Sequence, residues 1–145
     1  MKIVINENKS FAETEVIINC AETDDKILKM LAAIRAFDRK LTGTADGETR
    51  VLSSSEIIYI DTVDKKTFLY TAKDVYETPL RLYELEETLA PDDFIRILKS
   101  AIINFSHVQS LCPEMGGRLI LTMSNGEKIF TSRQYAAVIK QKLGL

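Results

Sequence analysis

With 145 residues, 46% of them hydrophobic and 28% charged, the chain is long enough for one domain with a buried core, and its composition excludes a disordered or fibrous protein. A formal net charge of −2 excludes a uniformly basic surface, so any contact with a polyanion must come from local clusters. No apolar run approaches the roughly 20 residues that span a bilayer, and the start Met1-Lys2-Ile3-Val4-Ile5-Asn6 turns polar too soon for a signal peptide, so a cytoplasmic protein is expected.

In chain order, residues 2–5 and 15–20 are rich in β-branched side chains and read as strands. Thr23 then caps a helix, with Asp24 and Asp25 in the first turn, where the helix dipole favours negative charge. Ile27, Leu31 and Ile34 recur at helical spacing, and the helix is expected to end near Asp38. Residues 41–44 and 48–52 flank Ala45-Asp46-Gly47, a hairpin signal because glycine accepts the positive φ such turns demand. Residues 1–50 thus read as a small β-β-α-β-β extension, a candidate for dimerisation or for sensing a partner.

Residues 51–145 form the main domain of this reading, and their pattern is mostly β. Strands are expected at 57–60, 67–71 and 74–77. Thr78-Pro79 reads as a helix start, Leu82, Leu85 and Leu89 as its apolar stripe, and Pro91 as its end. Two strand-like pieces, 94–98 and 101–103, are interrupted by Lys99-Ser100. Leu119, Leu121 and Met123 alternate with Ile120, Thr122 and Ser124 ahead of an Asn125-Gly126 turn and a return strand at 128–131. Ser132 caps a last helix in which Tyr135, Val138 and Ile139 face inward, while Lys140 and Lys142 suit the negative C-terminal end. The fold class is α+β, with short helices and a majority of strands.

The chemistry is defined first by what is missing. The six glycines form no phosphate-cradling loop. His107 is the single histidine, cannot build a multi-histidine metal site, and reads as structural. Cys20 and Cys112 stand in no metal-binding or C-x-x-C spacing and read as buried, reduced thiols. No nucleophile-elbow pattern accompanies a serine. No catalytic residue, metal, cofactor or small-molecule substrate is therefore expected.

What remains is three clusters of donors on short connections: Lys65-Lys66 in the polar segment 62–66, Lys99-Ser100 between strand pieces, and Ser132-Arg133-Gln134 where a strand meets a helix. Lysine and arginine pair with guanine in the major groove and glutamine with adenine. Hydroxyls and the free N–H groups of a helix start suit phosphates. Two readings compete. One is DNA binding; the other is a protein-interaction module without a DNA role, in which residues 1–50 do the work and the basic turns are merely solvated. A hydrolase using His107 is a weaker third.

A longer pattern separates them. Ile57-Ile58-Tyr59-Ile60-Asp61 is followed by Leu82-Tyr83-Glu84-Leu85-Glu86 with Leu89, and then by Phe94-x-Arg96-x-x-Lys99-Ser100-x-Ile102-x-Asn104. Val108, the Asn125-Gly126 turn and Ser132-Arg133-x-Tyr135 complete it. In order and spacing, residues 51–145 resemble the LytTR-type DNA-binding domains of bacterial transcription regulators. The resemblance implies an elongated, mostly antiparallel β domain with small helices that reads duplex DNA sequence-specifically through loops inserted in the major groove.

By the same resemblance the DNA-binding candidates are Lys65, Lys66 and Thr67, then Arg96, Lys99 and Ser100, then Ser132, Arg133 and Gln134. Lys99, Arg133 and Gln134 are expected at base edges, and Lys65, Lys66, Ser100 and Ser132 at phosphates. Asn104 and Tyr135 match the motif but are expected to be structural. The likeness also implies a homodimer on paired repeat sites. The roughly fifty residues ahead of the match are too few for a phosphorylatable receiver domain, and some short family members of this layout are controlled by a regulatory membrane protein.

Overall fold

A computed structural model describes residues 1–145. Its centre is the hairpin of β3 (Tyr59–Val63) and β4 (Lys66–Tyr70), whose β-branched and aromatic residues suit a pleated surface. Around it a seven-stranded antiparallel sheet is built from β1 (Lys40–Ala45), β2 (Glu48–Ser53), β5 (Val75–Thr78), β6 (Phe94–Leu98) and β7 (Ala101–Asn104), in the order β2-β1-β5-β4-β3-β7-β6. A second sheet of three strands, β10-β9-β8, contains β8 (Val108–Glu114), β9 (Arg118–Met123) and β10 (Lys128–Phe130). Three helices complete the chain: α1 (Asp25–Asp38), α2 (Leu82–Leu89) and α3 (Arg133–Leu143). The α+β class and the predominance of antiparallel strands agree with the sequence reading.

Two cores lie on opposite faces of the large sheet. On one, Ile60, Leu69 and Ile102 pack with the α2 stripe of Leu82, Leu85 and Leu89, which is why that helix needs only two turns. On the other, Ile58, Ile97 and Ile103 meet Leu119, Leu121 and Met123 of the small sheet and Ala136 and Ile139 of α3. Alternation along β9 sends those three residues inward and leaves Arg118, Ile120 and Thr122 outward or half-buried.

The β1–β2 hairpin turns at Asp46-Gly47, both at positive φ, as its sequence predicts. It joins the large sheet where Thr44 pairs with Glu77 of β5. Gly43 permits the approach, since a Cβ there would lie 2.5 Å from the Tyr76 Cβ. Leu41 and Leu52 enter the first core, so the 50/51 division runs through β2.

Other differences have local causes. Residues 2–5 and 15–20 form no strand, because no neighbouring strand lies beside them. Helix α1 forms as expected, but Asp24, not Thr23, caps it through Ile27 N–H at 3.0 Å, and only Ala36 on it is buried. Its C-terminal end is tied down: Ser53 Oγ sits 3.0 and 2.7 Å from the Ala36 and Phe37 carbonyls, and Arg39 donates to buried Asp92 at 2.6 Å. Thr78 ends β5 instead of starting α2, which Glu84 caps by accepting from Arg81 N–H at 3.0 Å. Strand β8 escaped the sequence reading because Gln109, Ser110 and Pro113 mask it; as an edge strand it tolerates a proline. Both cysteines are exposed, a correction to the buried thiols expected, because Cys112 points outward from that edge and Cys20 precedes the packed part of the chain.

Candidate nucleic-acid interface

The three donor clusters come together at one end of the large sheet. β3 lies between β4 and β7, so the β3–β4 turn at Asp64-Lys65 and the β6–β7 turn at Lys99-Ser100 share that end. Thr62 N–H donates to the Ser100 carbonyl at 2.9 Å and links them. Ser132 N–H donates to the Ile97 carbonyl at 3.0 Å, which places the start of α3 beside the second turn.

Each cation is free. Lys65, Lys66, Lys99 and Arg133 are exposed, and none takes part in the three ion pairs of the molecule, Arg39–Asp92, Arg96–Glu86 and Lys142–Asp93. Asp64 and Lys65 both hold positive φ, 52° and 65°, the geometry of a tight two-residue hairpin turn. For lysine this conformation costs on the order of 1 kcal/mol. Gln134 is exposed on the first turn of α3, and Ser132 caps that helix by accepting from Tyr135 N–H at 3.3 Å. Its hydroxyl keeps a proton to donate.

Two expected residues are less free than the others. Thr67 is 5% exposed: it lies on the same side of β4 as Leu69, two residues on, and turns into the sheet. The guanidinium of Arg96 is already occupied, donating to the Leu98 carbonyl at 3.0 Å, to the Lys99 carbonyl, and to Glu86 at 3.3 Å. Arg96 therefore shapes the β6–β7 turn beside Lys99, with its guanidinium directed at these carbonyls and at Glu86.

A fourth turn, missed from the sequence, adjoins the three. Between β8 and β9, Gly116 and Gly117 stand at positive φ, and the stem of Arg133 lies across them, with its Cγ 3.2 Å from where a Gly117 Cβ would be. The paired glycines were the available signal. They give the arginine a flat bed, and exposed Arg118 follows directly.

Behind the edge the scaffold is polar but satisfied. Asn104 is fully buried, donates to the Ile57 carbonyl at 3.0 Å, and accepts from Ser106 N–H and Oγ at 3.1 and 2.7 Å, the structural role expected of it. His107 is structural too. Its Nε2 donates to the Ser55 carbonyl at 2.7 Å, and its Nδ1 lies 2.7 Å from the Ser124 hydroxyl. Tyr59 and Tyr70 stack with ring centroids 4.0 Å apart, and Tyr70 donates to Asp61 at 3.2 Å. Burial, then the Asp61 bond, pushes the Tyr70 phenol up to about 12; burial also raises the Asp61 carboxyl, against the Tyr70 bond. No group of three or more His, Cys, Asp or Glu side chains is placed to hold a metal ion. No helix is long and apolar enough to cross a membrane.

The arrangement offers cations, an amide and hydroxyl groups along one edge. Comparison with known proteins agrees. Over its whole length the chain is 29% identical to an HTH-type transcriptional regulator of Staphylococcus aureus strain NCTC 8325 / PS 47, itself uncharacterized, covering 99% of that protein. A counterpart in strain COL matches at the same identity and coverage. In structure the chain is similar to the LytTr DNA-binding domain of a Bacillus cereus methyl-accepting/DNA response regulator, with a TM-score of 0.69 and 28% identity over 73% of this chain and 97% of that one. The three helices here are separated by strands, so no two of them form a helix–turn–helix pair. The model of the LytTr DNA-binding domain matches residues 47–144, from the tip of the β1–β2 hairpin to the end of α3, and the chain belongs to this family of DNA-binding transcriptional regulators, not to an enzyme class.

Proposed function

We propose that the chain is a cytoplasmic bacterial transcriptional regulator that binds duplex DNA sequence-specifically, with the β6–β7 turn and the start of α3 in the major groove. The observation that carries this reading is the gathering of Lys65, Lys66, Lys99 and Arg133 on one edge without anionic partners. Unpaired cations lose no internal ion pair when they meet phosphates, and the gain is release of counterions. Lys99, Arg133 and Gln134 reach for base edges. Lys65, Lys66, Ser100 and Ser132 hold phosphates and fix the register. Two protomers bind side by side on paired repeats, and a regulatory membrane protein controls the regulator.

Selection from a random duplex library tests the reading. The expected result is enrichment of a repeated motif whose binding weakens steeply with salt. Recovery of random sequence only would leave the protein-interaction alternative in its place.

A further inference from the structure

The first 37 residues carry ten of the twenty large hydrophobic side chains that the molecule exposes, among them Ile3, Ile5, Phe11 and Ile17 at 79%, 81%, 58% and 70% exposure. At roughly 100 Å² each they present on the order of 1,000 Å² of apolar surface. Gathered into one face, this area would exceed the roughly 300–600 Å² patch of a typical monomer and match the roughly 800 Å² per partner of a standard interface. Part of this surface is an open groove, in which Val16, Ile18 and Cys20 face Ile27, Leu31 and Ile34 of α1. No residue from 12 to 23 donates or accepts a backbone hydrogen bond within the chain, although 15–20 is as β-branched as the strands of the sheet.

We propose that this face is covered by a second copy of the same chain, with residues 15–20 pairing antiparallel to their twin about a twofold axis through Ile17. That register sets Ile17 opposite Ile17, Val16 opposite Ile18, and Glu15 opposite Asn19, so no like charges meet. It keeps Val16, Ile18 and Cys20 of both chains on one face of the ribbon, so both α1 grooves lie on the same side and close against each other. Residues 1–37 lie ahead of the family match at 47–144, and the S. aureus relatives align over the whole of this chain, so they carry a segment of this length as well. The dimer forms without DNA and stands whether or not the DNA reading holds.

Sedimentation equilibrium of the full chain without DNA is expected to give twice the 16.4 kDa of one chain. Ile17→Lys and Ile17→Asp each place like charges across the axis and are expected to be monomeric alone. Mixed, they set Lys against Asp and are expected to recover the dimer; this recovery also shows that both variants are folded. Alternate amides of residues 15–20, those that face the partner strand, are expected to exchange at least tenfold more slowly in the wild type than in either variant alone. A monomeric wild type overturns the proposal, as do dimers of the single variants or a mixture that stays monomeric. A monomeric chain that co-sediments with phosphatidylcholine vesicles also overturns it and assigns the face to a membrane.

Discussion

Two arginines, Arg96 and Arg133, sit near the same edge and should behave in opposite ways when removed. Arg133 has no anionic partner, and its stem lies on the Gly116-Gly117 turn. Arg133→Ala is expected to change stability by less than about 0.5 kcal/mol, as for an exposed residue outside any network. Its loss of a bidentate base contact is expected to cost about 1–3 kcal/mol of binding, some 5- to 150-fold in Kd, and to relax preference at one base pair. Arg96 makes three hydrogen bonds within the fold. Its ion pair with half-exposed Glu86 contributes little, but the two carbonyl contacts hold the β6–β7 turn, so Arg96→Ala is expected to cost about 1–3 kcal/mol of stability. Its base preference is expected to be unchanged. Urea unfolding and fluorescence anisotropy on the selected duplex, read across a series of base substitutions, separate the two outcomes. Unchanged affinity and preference in Arg133→Ala, or a preference change in Arg96→Ala at full stability, would refute the assignment of roles.

Lys65→Gly is expected to raise stability by about 1 kcal/mol, because glycine accepts the φ of 65° without strain; it should also weaken binding to all duplexes alike and lower the salt slope by about 0.9. An unchanged slope would remove Lys65 from the phosphate contacts. Asp61 has one carboxylate oxygen buried without a partner, and burial raises its pKa, so the folded state takes up this proton at a higher pH than the unfolded chain. Its charge therefore costs stability at neutral pH, and the cost is relieved as pH falls through the window just above the ordinary value near 3.8; Asp61→Asn, which still accepts from Tyr70, is expected to melt higher at pH 7 and to flatten that part of the profile. Tyr70 stabilises the fold while un-ionised, so this contribution is present below pH 10 and lost between pH 10 and about 12, as ultraviolet titration of tyrosinate should show. Gly43→Ala drives a methyl into Tyr76 and is expected to cost about 1–3 kcal/mol without altering base preference.

Much of this molecule is written in short-range pattern. The Asp46-Gly47 turn, the stripe of Leu82, Leu85 and Leu89, the alternation of Leu119, Leu121 and Met123, and the Ser132 cap each depend on residues within a few positions of one another. Local dihedral preference and side-chain period suffice to fix them. The burial of Thr67 was legible by the same rule, since it shares its parity with Leu69. Strand β8 was not, because its partner β9 and its edge position make it a strand, and its own residues give a weak signal. The fate of Arg96 was not legible either, because its three acceptors are supplied by the folded turn and by α2.

The amino-acid order by itself determined most of the elements, the family pattern and which side chains can donate to DNA. Only the tertiary structure decided which of those donors stand free and together. That outcome depends on β3 lying between β4 and β7, contacts that join residues some forty positions apart. It also left 15–20 without a neighbour, since a strand needs hydrogen-bond partners that no local sequence supplies.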